Sequence, residues 1–130
     1  MLVADTNVLV GLFVPSSNSL VVRACRDADH DWHLPSLWVP EFRHVVLKYL
    51  KTGQLDLSSA LNHLAVAEQT FLPRTRTVDS SMALQLAHQV GCSSYDAEFV
   101  VLAQQLACPL LTFDRKLLQI FPEVAVQPGS

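Results

Sequence analysis

Short apolar runs alternate along this chain with longer stretches whose apolar residues recur at helical spacing. Leu2 to Ala4 is a brief apolar run closed by Asp5-Thr6-Asn7, the pattern of a buried strand with polar groups at its carboxyl end. Val8 to Phe13 can begin a helix, which Pro15-Ser16-Ser17-Asn18 interrupts. Ser19 can cap a second helix carrying Val21, Val22 and Ala24 and running to about Ala28. Trp32 to Leu34 predicts a second strand, ended by Pro35-Ser36. From Val39 to Lys51 the apolar residues stand at 39, 42, 46, 49 and 50, which is helical spacing, and Gly53 stops the run. Leu57 to Gln69 predicts another helix, with Ser58 and Ser59 near its start, and Phe71-Leu72 a weak strand. Thr77 or Asp79 opens a helix to Val90 that Gly91 ends, and Ser93 or Ser94 caps one from Tyr95 to Leu106. Pro109 to Thr112 reads as an apolar strand ending near Asp114, Arg115 to Ile120 as a short helix, and Val124 to Val126 as a last strand.

Strands alternating with helices predict an α/β domain around a central parallel sheet. No repeat, linker or low-complexity tract divides the chain, so one domain spans residues 1–130. In open sheets of this kind, sites form beyond the carboxyl ends of the strands. Asp5 and Asp114 both fall there.

Composition narrows the picture. Half of the 130 residues are apolar and 16% are charged, enough apolar material for a core and too much for disorder. No apolar run is long enough for a membrane span, and the start has no basic segment of a secretory signal, so an intracellular, cytoplasmic protein is expected. Cys25, Cys92 and Cys108 are too widely spaced for a zinc site or disulfide frame and read as small hydrophobes. The five histidines show no metal-binding spacing. The net charge of −3 argues against general affinity for nucleic acid. If four acids are gathered on one cation, however, eight others face nine bases and the rest of the surface is close to neutral.

Four acids stand at the ends of predicted elements: Asp5, Glu41, Asp96 and Asp114. Each has an ordinary explanation. Asp5 and Asp114 can cap the helices that follow them, Ser93-x-x-Asp96 resembles a capping box, and Glu41 sits where a helix dipole favours an acid. As a set drawn to one end of a sheet, they suit a hard divalent cation such as Mg²⁺ or Mn²⁺ and metal-assisted phosphodiester hydrolysis. Without a cation, clustered carboxylates repel and their pKa values rise.

The four acids lie in segments that resemble the motifs of PIN domains. Val3-Ala4-Asp5-Thr6-Asn7-Val8-Leu9 is similar to the first, and Pro35-Ser36-Leu37-Trp38-Val39-Pro40-Glu41-Phe42-Arg43-His44-Val45 to the second. Ser94-Tyr95-Asp96-Ala97-Glu98-Phe99-Val100-Val101-Leu102-Ala103 resembles the third and most specific, and Pro109-Leu110-Leu111-Thr112-Phe113-Asp114-Arg115-Lys116-Leu117-Leu118 the fourth. The length resembles that of VapC toxins, which are single PIN domains. The resemblance implies a three-layer α/β/α fold and Mg²⁺- or Mn²⁺-dependent endoribonuclease activity. It implies Asp5 and Asp96 as principal metal ligands, with Glu41 and Asp114 completing the pocket. Asn7 and Thr112 would position the carboxylates by hydrogen bonds. It further implies a small antitoxin partner and a homodimer.

Arg43, Arg115 and Lys116, beside the motif acids, are candidates to steer an RNA backbone, as are Lys48 and Lys51 on the helix of Glu41. Glu98 lies two residues after Asp96, roughly 200° around a helix, and is expected to face away from the acids. Pro40 should lie in the first turn of its helix, where proline is tolerated. Trp38 is expected in the core rather than against a base. Two other functions fit less well. A phosphatase with an aspartyl nucleophile would want a second acid where Asn7 stands, and a catalytically silent PIN domain would be expected to lack one of the acids, all of which are present.

Overall fold

In the computed structural model, which describes residues 1–130, the first apolar run is the middle strand of the sheet. β1 (Leu2–Ala4) pairs in parallel with β2 (Trp32–Pro35) on one side and β4 (Leu110–Leu111) on the other. β3 (Thr75–Arg76) lies outside β2, and β5 (Ala125–Val126) outside β4, giving the order β3-β2-β1-β4-β5, all parallel. The chain builds outward from β1 through β2 to β3, then returns to build β4 and β5 on the other flank. The order therefore reverses between β1 and β4, and a crevice opens there above the strand ends.

Seven helices cover both faces, giving three layers, as the resemblance implied. α1 (Thr6–Phe13), α2 (Ser19–Ala28), α3 (Trp38–Lys51) and α4 (Leu57–Phe71) pack on one side. α5 (Ser80–Val90), α6 (Ser94–Gln105) and α7 (Arg115–Ile120) lie on the other. Side chains alternate across the strands, so Ala4 and Leu111 face the first core while Val3 and Leu110 face the second. The first core is rich in aromatic contacts. Trp38 is fully buried against Phe42 and Phe71, and its indole N–H donates to Thr75 Oγ1 at 2.9 Å. Trp38 is therefore a core residue that also ties α3 to the edge strand. α6 is buried along Ala97 and Phe99–Ala103, which explains its nearly uninterrupted apolar run.

Three sequence expectations are corrected. The strand expected at Phe71-Leu72 is absent: Phe71 ends α4, Leu72–Arg74 is a 3₁₀ turn holding Pro73, and the edge strand follows at Thr75–Arg76. A two-residue apolar run fits a helix end as well as a strand, and Phe71 buries its ring between Trp32 and Trp38. α1 begins at Thr6 rather than near Val8, because Asp5 caps it directly. Ser19 is the first residue of α2 rather than its cap; Asn18 holds the cap position, and the Ser19 hydroxyl accepts from the Ser16 N–H. No helix is long and apolar enough to cross a membrane.

Candidate active site

The backbone of Asp5 extends the β1 ladder by one residue, its N–H donating to the Leu111 carbonyl at 2.9 Å. That bond sets Asp5 beside Thr112, the residue that follows β4. Thr112 is fully buried and its hydroxyl joins two acids. It donates to Asp5 Oδ2 at 2.7 Å and accepts from the Asp114 N–H at 3.0 Å. The other Asp5 oxygen accepts from the Thr6 N–H at 2.8 Å, capping α1. Asp114 caps α7 in the same way, accepting from the Leu117 N–H.

Glu41 reaches the crevice from the first turn of α3. Pro40 precedes it without disturbing the helix, because the first turn requires no N–H there; the Glu41 N–H bonds to the Leu37 carbonyl. Thr6 Oγ1 donates to Glu41 Oε1 at 2.7 Å. Asp96 comes from the first turn of α6, whose start is fixed by Ser93: its hydroxyl accepts from the Asp96 N–H at 3.0 Å. Capping and site formation therefore coincide. All four acids stand at helix starts, and four helix dipoles aim their positive ends at one crevice.

Asp5, Glu41, Asp96 and Asp114 line a single cleft of about 590 Å³ at the β1/β4 reversal. Burial pushes the Asp5 carboxyl above the ordinary carboxylate range. The Thr112 and Thr6 hydrogen bonds oppose this, while the charges of Asp96 and Asp114 add to it. Burial also raises Glu41, with Asp5, Asp96 and Glu98 repelling it against the Thr6 bond. Asp96 is raised by burial and by Asp114, partly offset by Ser93 and Lys116. The carboxylates share the cleft without converging on one point: no three acidic, histidine or cysteine side chains form a ready-made ligand group. Mg²⁺ keeps several waters and binds proteins through one or two carboxylates, so an open set of hard oxygens that repel one another fits it.

The other candidates are placed unevenly. Asn7 is exposed at the cleft, and the hydroxyl of Thr6 takes the bond to Glu41. Arg43 lines a neighbouring apolar groove rather than the cleft. Arg115 and Lys116 do not line the cleft either, although the Lys116 charge is felt at Asp96. The cation that does line it is Lys48, joined by His44. Thr6 went unassigned from sequence; its position directly after Asp5 was the available signal.

The PIN domain family profile matches residues 2–124. Ribonuclease VapC3 of Pyrobaculum aerophilum is 29% identical over 126 residues, covering 93% of this chain and 95% of that protein. The fold is similar to a crystal structure of PAE2754 from Pyrobaculum aerophilum, with TM-score 0.75 and 21% identity over 97% of this chain and 89% of that one. It is also similar to a toxin–antitoxin complex from Klebsiella pneumoniae, with TM-score 0.72 and 19% identity over 98% of each chain.

Proposed function

The chain belongs to the PIN domain family, and from that premise we propose that it is a divalent-cation-dependent endoribonuclease acting as a VapC-type toxin. The observation that carries this reading is the gathering of four carboxylates from four separate elements into one cleft at the sheet's reversal. The relative named Ribonuclease VapC3 supports the choice of RNA. Asp5 and Asp96 are the principal ligands for Mg²⁺ or Mn²⁺, with Glu41 and Asp114 completing the site. The bound cation supplies Lewis acidity and a water of lowered pKa. The protein's own groups orient this chemistry: Thr112 fixes Asp5 and Asp114 relative to each other, Thr6 holds Glu41, and Lys48 attracts the phosphate backbone.

The test is cleavage of RNA by the purified protein with Mg²⁺ or Mn²⁺ and with EDTA. Cleavage that persists in EDTA would falsify the cation dependence, and no cleavage with either cation would favour a silent PIN domain. Thr112→Val keeps the side-chain shape and removes both bonds of the hydroxyl. Cleavage is expected to fall roughly 10- to 100-fold, the scale of losing a group that orients metal ligands. Thr112→Ser should restore it, and a Val variant with full activity would deny Thr112 its positioning role.

The toxin role adds a partner. An apolar groove between α3 and α4, lined by Leu47, Leu50, Leu57, Leu61 and Leu64, meets the acid cleft at Pro40 and His44. Leu57 and Leu61 are 62% and 57% exposed there, a surface for a small antitoxin. In the cytoplasm, expression should arrest growth and a small neighbouring protein should relieve it. Leu61→Asp should keep the arrest in the presence of that protein. Relief that is equally complete for Leu61→Asp would place the antitoxin elsewhere. The protein forms a homodimer in this reading, so light scattering should return twice the monomer mass, and the monomer mass would contradict it.

A further inference from the structure

Beside the acid cleft lies a second cavity of about 500 Å³ that the cleavage reading leaves unused. Its polar lining is the hydroxyl residues Ser80, Ser81 and Ser94 with the carboxylate of Glu98, and its apolar wall includes Val78 and Leu84. The first turn of α6 is the partition between the two cavities. Tyr95 and Asp96 face the acid cleft, whereas Ser94 and Glu98 line the second cavity. The half-turn between Asp96 and Glu98 separates their side chains as a helix requires. The cavities are still neighbours, since the Glu98 charge is felt at Glu41.

Three features fit this cavity to a nucleobase. Glu98 is half-buried, and no side-chain hydrogen bond or salt bridge within the protein engages its carboxylate. Tyr95 is 61% exposed on the partition, offering an aromatic face to a base that leaves the acid cleft over α6. Leu84, 67% exposed, gives the cavity an apolar edge. Flat, partly apolar bases with polar rims suit such a lining. A carboxylate offers two acceptors side by side and no donor. Guanine presents two adjacent donors, N1–H and the N2 amine, on its Watson–Crick edge. Adenine and cytosine place an acceptor nitrogen beside their amine, and uracil flanks its single donor with two carbonyls.

We propose that the cavity bounded by Ser80, Ser81, Ser94 and Glu98 is a base subsite that selects guanine next to the cleaved phosphate. Glu98 accepts from N1–H and N2–H, and the serine hydroxyls complete the rim. The inference rests on the acid cleft being the RNA-cleaving site, so its test has one arm that needs no cleavage.

In that arm, guanosine 5′-monophosphate is titrated into the full-length protein in EDTA and followed by amide resonances. Shifts at Ser81, Ser94 and Leu84 are expected with guanosine monophosphate and not with the adenosine or cytidine nucleotides. Glu98→Gln, which swaps one acceptor for a donor, should weaken binding roughly tenfold or more, the scale of one bidentate base contact. In the second arm, cut sites in a random RNA pool are sequenced, and the guanine preference beside the cut should drop by a similar factor in Glu98→Gln. Equal response to all nucleotides, or a preference indifferent to Glu98→Gln, overturns the subsite while RNA cleavage itself stands. Guanosine binding that depends on Glu98 in a protein that cuts no RNA upholds the subsite and removes the cleavage reading instead.

Discussion

Asp5→Asn should yield a folded protein whose RNA cleavage falls by on the order of a thousandfold, the scale of removing one preorganised electrostatic stabiliser. Asparagine is chosen because Asp5 has two jobs. One oxygen caps α1 through the Thr6 N–H, and asparagine caps about as well as aspartate. The second oxygen accepts from Thr112 Oγ1; the asparagine amide can instead donate to that hydroxyl, so the contact survives with its direction reversed. What is lost is the charge. Asp5→Ala is the poorer variant, because losing the cap costs about 1 kcal/mol and mixes folding with chemistry. Asp96→Asn should behave like Asp5→Asn. Circular dichroism would check the fold and a labelled RNA the cleavage. Retained cleavage in both variants would remove the acid cleft as the site of chemistry.

The largest expected effect on stability comes from the cation. Asp5, Glu41 and Asp96 all have carboxyl groups raised by burial and by the charges of neighbouring carboxylates, Asp114 among them. An acid whose folded pKa lies above its unfolded value favours folding when protonated. That contribution is full below the unfolded value and is lost as pH rises through the folded one. Without a cation, the protein should therefore lose stability as pH rises from the ordinary carboxylate range through the raised values of these groups. Mg²⁺ or Mn²⁺ at about 100 times its Kd should restore ~2.7 kcal/mol at neutral pH. For a chain of this length that is roughly a 10 °C rise in Tm. Below the carboxyl range the same addition should do little, because the ligands are protonated. A melting curve that ignores both cations at neutral pH would contradict a metal role for these acids. Asp5→Asn, having lost a raised carboxyl, should melt no lower than the wild type in EDTA and gain less from the cation.

Sequence and structure agree most closely where a physical signal is local. Helix starts at Ser94 and Ser80 follow from Ser93 and Asp79, and the end of α5 from Gly91, whose φ of 77° suits glycine. The acids were legible for a related reason: strand ends and helix caps leave recognisable residues. The Phe71 region was not legible, because burial between two tryptophans 33 and 39 residues earlier decides it. The strand order was also beyond local pattern, since nothing near Leu110 says that it will pair with Val3. Cations were the least legible part of the site. Arg115 and Lys116 adjoin Asp114 in sequence but do not line the cleft, whereas Lys48 reaches it from two turns further along α3 than Glu41. Proximity along the chain was a poor guide once a helix could rotate a side chain out of reach.

The reversal of strand order between β1 and β4 divides the cleft's acids evenly along the chain. Asp5 and Glu41 precede β3, and Asp96 and Asp114 follow it. A polypeptide severed at Thr77-Val78, between β3 and α5, would carry two carboxylates on each piece and a complete set on neither. Thr112 on the later piece would have to meet Asp5 on the earlier one before either was held in place. The same topology bears on synthesis: a ribosome that has emitted only the first three strands has made half of the acid set, and the cleft is complete only once Asp114 has followed β4.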